Sequence, residues 1–177
     1  SKTEISSTLG IDPENFEVVY LGIDEIFYPR DLSDYSLEIL NRYKIKRPYL
    51  LFVGGLDFRK NIKVLLSAFK ILKTKNKLEH TIVLVGKTSK NTNSLLYPPI
   101  KTWIEELEFK EEDICILENV TDNELPELYS MADVFVFPSL AEGFGFPVLE
   151  AQACGIPVVS SNTTSLPEIL GDAALFI

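Results

Sequence analysis

Apolar residues in this chain gather into short unbroken runs, and the stretches between them are patterned at helical spacing. Tyr49-Leu-Leu-Phe-Val53 is one such run, closed by Gly54-Gly55. A segment this short and apolar on both sides predicts a strand buried between two layers. Thr81–Val85, Ile114–Leu117, Asp133-Val-Phe-Val-Phe-Pro138, residues 156–159 and residues 173–177 repeat the theme, giving about six strands from Leu50 onward. Between the first two, Val64, Leu65, Ala68, Phe69, Ile71 and Leu72 recur at helical spacing. They predict a helix that lays this apolar face on the sheet, with Asn61 at its N-cap. Further helices are expected over residues 101–107, carrying Trp103, over 123–131, and from Pro147 to a stop at Gly155.

Strands alternating with helices of about ten residues predict βαβ units and a mainly parallel sheet. Right-handed crossovers then make the domain doubly wound, α/β in class, with helices on both faces. Residues 48–177 carry this repeat. Residues 1–47 stand apart from it. There Glu17-Val-Val-Tyr-Leu-Gly22 reads as a first strand, and the charged, Tyr-rich residues 28–43 read as a linker or surface-packed extension.

With 177 residues and 46% hydrophobic content, the chain can bury a full core in one domain. The net charge of -9 argues against a nucleic-acid partner, which would call for a basic face. Nothing approaches the apolar length of a membrane span, and Ser1-Lys-Thr-Glu-Ile-Ser6 lacks the core of a signal peptide. These features predict a cytoplasmic protein, with peripheral association at the inner membrane face open to a longer form. The chain stops inside the apolar run Ala173-Ala-Leu-Phe-Ile177, which predicts a fragment of something longer. Cys115 and Cys154 lie in apolar segments without metal-ligand spacing and read as buried reduced thiols. His80, the one histidine, falls at a strand entry, where a solvent-facing role is expected.

Two stretches carry candidate chemistry. Phe137-Pro-Ser-Leu-Ala-Glu-Gly-Phe-Gly-Phe-Pro-Val-Leu-Glu150 places Glu142 on a glycine-rich loop after a strand and Glu150 near the start of the following helix. Both acids can then face the crevice beyond the carboxyl ends of the strands, where open α/β sheets bind ligands. Glu150 lies among Val148, Leu149, Ala151 and Ala153. A carboxylate buried there needs a partner, and the hydroxyls of a sugar or ribose would serve. The free amides near Gly145 suit a phosphate or sugar oxygen. From spacing alone, two acids merely favoured by the helix dipole explain the pair equally well. Gly54-Gly55-Leu-Asp-Phe-Arg59-Lys60-Asn61 joins the first buried strand to its helix and sets two cations at a turn. That is a seat for a diphosphate, or a surface turn with solvated charges. It matches neither the phosphate-loop nor the dinucleotide fingerprint spacing.

These stretches together resemble the carboxyl-terminal, donor-binding domain of the retaining glycosyltransferases of family four, also called group 1. The resemblance rests on four motifs in order: the Arg59-Lys-Asn61 turn, Tyr129-Ser-Met-Ala-Asp-Val-Phe-Val-Phe-Pro-Ser139, Glu142 to Glu150 with Gly143-Phe-Gly-Phe-Pro147, and Ser165-Leu-Pro-Glu-Ile-Leu-Gly-Asp-Ala-Ala174. It implies a Rossmann-like domain that is one half of the two-domain GT-B architecture, with residues 1–47 as the hinge from the acceptor domain. By the same resemblance Lys60 binds the donor diphosphate, with Gly54, Gly55, Gly145 and Arg59 beside it. Glu142, Phe144, Gly145 and Phe146 meet the donor sugar, Glu150 holds the nucleotide ribose, and Val120 marks the base region. The implied reaction transfers a hexose from a nucleoside-diphosphate sugar, GDP-mannose by similarity to bacterial surface-polysaccharide mannosyltransferases, to a glycan or lipid-linked hydroxyl. Lys60 and Glu142 are its candidate catalytic residues. No cofactor or metal is expected, since the sequence has no Asp-x-Asp pair. The chain departs from the family at Gly55, where many members have an arginine, and it lacks the acceptor half. A non-catalytic nucleotide-sugar module, or an epimerase or phosphorylase on the same architecture, stays open at this stage.

Overall fold

A computed structural model describes residues 2–88 and 96–177. Its centre is one sheet of six strands: β1 Tyr49–Val53, β2 Thr81–Val85, β3 Ile114–Leu117, β4 Val134–Phe137, β5 Val158–Ser160 and β6 Leu175–Phe176. The spatial order is β3-β2-β1-β4-β5-β6 and every neighbouring pair is parallel. Register is set by pairs such as Leu51 with Val83 and Leu50 with Val134.

Among the described residues seven α-helices connect and flank the strands: α1 Lys2–Leu9, α2 Asp34–Arg42, α3 Ile62–Lys75, α4 Ile100–Glu106, α5 Leu125–Met131, α6 Phe146–Ala153 and α7 Leu166–Leu170. The strand order runs outward from β1 to β3, returns to β4 and runs outward the other way. Right-handed crossovers therefore place α3 and α4 on one face and α5 and α6 on the other. The packing agrees, with α3 against α4, and α5 against α6 and α2. The doubly wound, Rossmann-like reading of the sequence is what the chain forms.

The apolar runs are strands because both of their faces are covered. Leu51, Phe52, Val83, Leu84, Phe135 and Phe137 are all fully enclosed. Phe137 stacks on Phe52 and Phe135 at centroid distances of 5.6 and 5.7 Å, and Tyr129 of α5 reaches Phe135 at 5.4 Å. Each such aromatic pair adds about 0.5–1.5 kcal/mol beyond the area it buries. This aromatic row lies under the loops that follow β1 and β4.

Four expectations change. Glu17–Gly22 forms no strand and runs as irregular backbone, leaving Val19 78% and Tyr20 60% exposed. Apolar composition makes a strand only where a neighbouring edge supplies hydrogen bonds, and here none is paired with it. Residues 28–43, expected as a linker or a surface-packed extension, are packed on the domain and contain a helix that was not expected, α2, whose Ile39 and Leu40 are buried. It is tied to α5 by Ser36 donating to Glu127 at 2.7 Å and by an Arg42–Glu124 ion pair. In α3 the enclosed face is Ile62, Leu65, Leu66 and Phe69, while Val64, Ile71 and Leu72 look outward. Asn61 does precede the helix, but it is left-handed at φ 55° and makes no side-chain cap.

Candidate functional site

Because all six strands are parallel, the segments leaving β1, β3 and β4 emerge at the same end of the sheet. The loops after β1 and β4 leave on either side of the point where the strand order reverses, the usual position of a ligand crevice in such sheets. They are bonded to each other there. Leu140 donates its backbone N–H to the Arg59 carbonyl at 2.7 Å. Lys60, just beyond β1, places Nζ 2.5 Å from Oε1 of Glu142, just beyond β4. Ser139 donates its hydroxyl to the same Glu142 oxygen at 2.5 Å and also lies 3.1 Å from the Arg59 carbonyl. Lys60 and Glu142 are both largely enclosed, with side chains 10% and 12% exposed, and the ammonium sits 5.1 Å above the Phe137 ring.

The two cations expected at the β1 turn therefore part company. Lys60 turns inward to Glu142. Arg59 turns outward and forks onto Asp57, with Nε and Nη2 at 3.1 and 3.0 Å from its carboxylate oxygens and its side chain 67% exposed. Asp57 also accepts the Arg59 backbone N–H at 2.9 Å, which fixes the tight turn before Lys60. Gly54 and Gly55 form the start of that turn. Gly54 donates to the Val85 carbonyl at 2.9 Å, and its own carbonyl lies so close to Gly86 that a Cβ there would be 1.8 Å away. At Gly55 the nearest atom to a Cβ is Asp57 Oδ2 at 3.7 Å, so a side chain fits.

The loop bearing Glu142 is held from its other side by the segment before α7. Glu142 donates its backbone N–H to Thr164 Oγ1 at 3.0 Å, and Ser165 donates to the carbonyls of Glu142 and Phe144 at 3.2 and 2.7 Å. Thr164 holds a left-handed φ of 53°, a strained conformation for a β-branched residue. Gly145 turns the chain into α6 at φ 117°, and a Cβ there would crowd Leu166 Cδ2 at 3.0 Å. Phe144 and Phe146 flank it with ring centroids 5.0 Å apart. A cleft of about 790 Å³ opens beside Glu142, bounded by Val18, Tyr20, Phe144, Ser165 and Glu168.

Glu150 lies within α6 and accepts a 2.8 Å hydrogen bond at Oε2 from the hydroxyl of Tyr129. Burial raises its carboxyl above the usual glutamate range; the Tyr129 bond works the other way, and the charge of Asp122 adds to the rise. The sequence motifs contain Tyr129 and Ser139, but neither was assigned a role there. Nothing in local spacing signals that each would hold one of the two acids. Val120, three residues beyond β3, is half-buried against the core at this same end of the sheet.

The remaining chemistry is plain. Cys115 and Cys154 are free thiols, and burial pushes Cys154 up to about 11. His80 Nε2 lies 4.0 Å from Asp133 at the opposite, entry end of the strands. Among the described residues no cluster of His, Cys, Asp and Glu could hold a metal ion, and no helix is long and apolar enough to cross a membrane.

The family model for glycosyl transferases group 1 matches residues 38–176. The chain is 36% identical over 177 residues to the O-antigen chain mannosyltransferase B of Escherichia coli, spanning 99% of this chain and 44% of that protein. It thus spans less than half the length of this curated relative. Among solved structures it resembles the C-terminal domain of the group 1 glycosyl transferase LpcC from Francisella tularensis, at 23% identity and a TM-score of 0.68 over 88% of this chain and 80% of that one. It also resembles Anabaena HepE in complex with UDP and glucose, at 20% identity and a TM-score of 0.78 over 99% and 46% of the two chains. Glu142, Lys60 and their loops at the reversal of the sheet fall within the matched region, and the chain belongs to the glycosyl transferases group 1 family.

Proposed function

We propose that the chain is the donor-binding part of a retaining hexosyltransferase that takes mannose from GDP-mannose and transfers it to a glycan or lipid-linked hydroxyl. The observation that carries the reading is the enclosed Lys60–Glu142 pair, which joins the β1 and β4 loops at the reversal of strand order. A diphosphate entering this crevice would compete with Glu142 for the Lys60 ammonium, exchanging one charge-assisted bond for another. Freed of its cation, Glu142 keeps Ser139 as donor and can accept hydrogen bonds from the hydroxyls of the sugar. Glu150 takes the ribose, Val120 lies toward the base, and the amides at the Phe144-Gly145-Phe146 turn face the sugar and phosphate.

Cleavage of the glycosyl–phosphate bond leaves negative charge on the diphosphate and oxocarbenium character on the sugar. Lys60 and the loop amides stabilise the former by being in place beforehand, and a contact of that kind is worth about 2.7–4 kcal/mol. Glu142 positions the sugar while the acceptor attacks from the face that the leaving phosphate vacates, which preserves the anomeric configuration. Arg59 is held outward by Asp57 and contributes less than Lys60. The mannose assignment is supported by the Escherichia coli relative, and a nucleoside diphosphate with a hexose by the Anabaena neighbour. In the full-length protein, transfer of labelled mannose from GDP-mannose to a lipid-linked glycan, lost in Lys60→Ala and Glu150→Ala, supports the reading. Donor binding with no transfer to any tested acceptor makes the domain a binding module, and release of free sugar or sugar phosphate makes it an epimerase or phosphorylase.

A further inference from the structure

Among the described residues, the side-chain hydrogen bond to Glu150 comes from Tyr129. It is fully enclosed, with its ring edge-on to Phe27 at 5.9 Å and tilted against Phe135 at 5.4 Å. A ring so confined aims its hydroxyl in one direction, and that direction ends on Glu150 Oε2 at 2.8 Å. The other oxygen, Oε1, takes no hydrogen bond from the described residues. Burial and the Glu150 charge hold the Tyr129 phenol well above its ordinary range, so it stays protonated and can only donate here.

We propose that Tyr129 is a positioning residue of the donor site: its hydroxyl fixes Oε2 of Glu150 and leaves Oε1 directed at the ribose. This rests on the reading of Glu150 as the ribose acceptor. The need for such a residue follows from the surroundings. The groups facing Glu150 are Tyr129 from α5, the carboxylate of Asp122 from the turn before it, and the Cys154 thiol one turn along α6. No cation is among these groups. A half-buried carboxylate that no cation faces among the described residues keeps its charge through hydrogen bonds. Without the hydroxyl, Glu150 would protonate more readily and turn more freely, and either change blunts ribose recognition.

The test is calorimetric titration of the full-length protein with GDP and 2′,3′-dideoxy-GDP between mildly acid and neutral pH. The wild type is expected to prefer GDP by about tenfold, the size of one hydrogen bond to a charged group. It is expected to lose affinity on acidification as Glu150 protonates. Tyr129→Phe should reduce the preference to about threefold or less and move the acid limb to higher pH. Because the terminal phosphate of GDP titrates in the same range, the limb is read from the GDP to dideoxy-GDP preference, in which that titration cancels. In Glu150→Gln this preference should not vary with pH, a result that does not depend on how the Tyr129 variant folds, and Tyr129→Phe in that background should cost nothing further. A wild type that discriminates, with Tyr129→Phe matching its preference and its acid limb, overturns the positioning role alone. A wild type that binds both nucleotides equally overturns the ribose reading of Glu150 as well.

Discussion

Lys60 and Glu142 are separated by 82 residues of sequence and 2.5 Å of space, joined across the point where the strand order of the sheet reverses. Each is largely enclosed, so neither charge would be stable there alone. Removing one partner of such a pair costs about 3–5 kcal/mol when the other is left buried. Lys60→Ala and Glu142→Ala should each lower unfolding stability toward that range. The double variant should be more stable than the sum of the two, with a coupling of about 0.5–3 kcal/mol read from denaturant titrations.

Ser139 should behave as part of the same unit. It is fully buried and donates to Glu142, while its carbonyl accepts from Ser161 and, at 3.1 Å, from Thr163. Ser139→Ala removes the one donor that stays on Glu142 when Lys60 is drawn to a diphosphate. It should therefore weaken binding of the sugar-bearing donor by about tenfold, the size of one hydrogen bond to a charged group. The free nucleoside diphosphate, which also draws Lys60 away and brings no sugar hydroxyl to Glu142, should weaken at least as much.

Gly86 and Gly143 make a contrasting pair. A Cβ on Gly86 would lie 1.8 Å from the Gly54 carbonyl, which can yield only by moving the β1 turn that carries Lys60. Gly86→Ala should cost about 4 kcal/mol or more, the range of severe backbone clashes. Gly143 has nothing within 4 Å of a Cβ. Gly143→Ala should fall within about 0.5 kcal/mol of wild type, as surface changes usually do. Thermal melts of the two variants check both.

Glu150 gives a pH dependence whose sign can be worked out. Its carboxyl is raised above the ordinary value mainly by burial. The folded state therefore gains from this group below the ordinary glutamate range and loses that gain as pH rises through the raised value. Glu150→Gln should melt higher than wild type at neutral pH, with the gap closing on acidification. Asp113 and Glu124 are shifted down and weaken the fold as pH falls, but they do so equally in both proteins and cancel in the difference.

Much of this was legible in the sequence because strands covered on both faces leave unbroken apolar runs. Tyr49–Val53 and Thr81–Val85 were read with their observed bounds, and the parallel order followed from the alternation. Lys60 and Glu142 were legible as residues on turns after strands, though not as partners, because nothing local encodes a contact across the sheet. The helix α2 was missed for a physical reason. It buries only Ser36, Ile39 and Leu40 and exposes Tyr35 and Leu37, so its apolar periodicity is weak. Its one clear sequence signal was the reciprocal cap between Ser33 and Ser36. Glu17–Gly22 misled in the opposite direction, having strand composition without a sheet edge to join. Tyr129 was seen only as part of a motif, since its contact with Glu150 links two helices that follow different strands.

The most direct test of the account is calorimetric titration of the full-length protein with GDP-mannose, GDP, UDP and ADP, in wild type and Lys60→Ala. If the β1–β4 crevice is the donor site, GDP and GDP-mannose bind in the micromolar range. Lys60→Ala then weakens both by about tenfold or more, because the diphosphate contact it removes is partly offset by the Glu142 bond given up on binding. If no nucleotide binds more tightly than millimolar, or if Lys60→Ala binds as well as wild type, the crevice is not a nucleotide-sugar site.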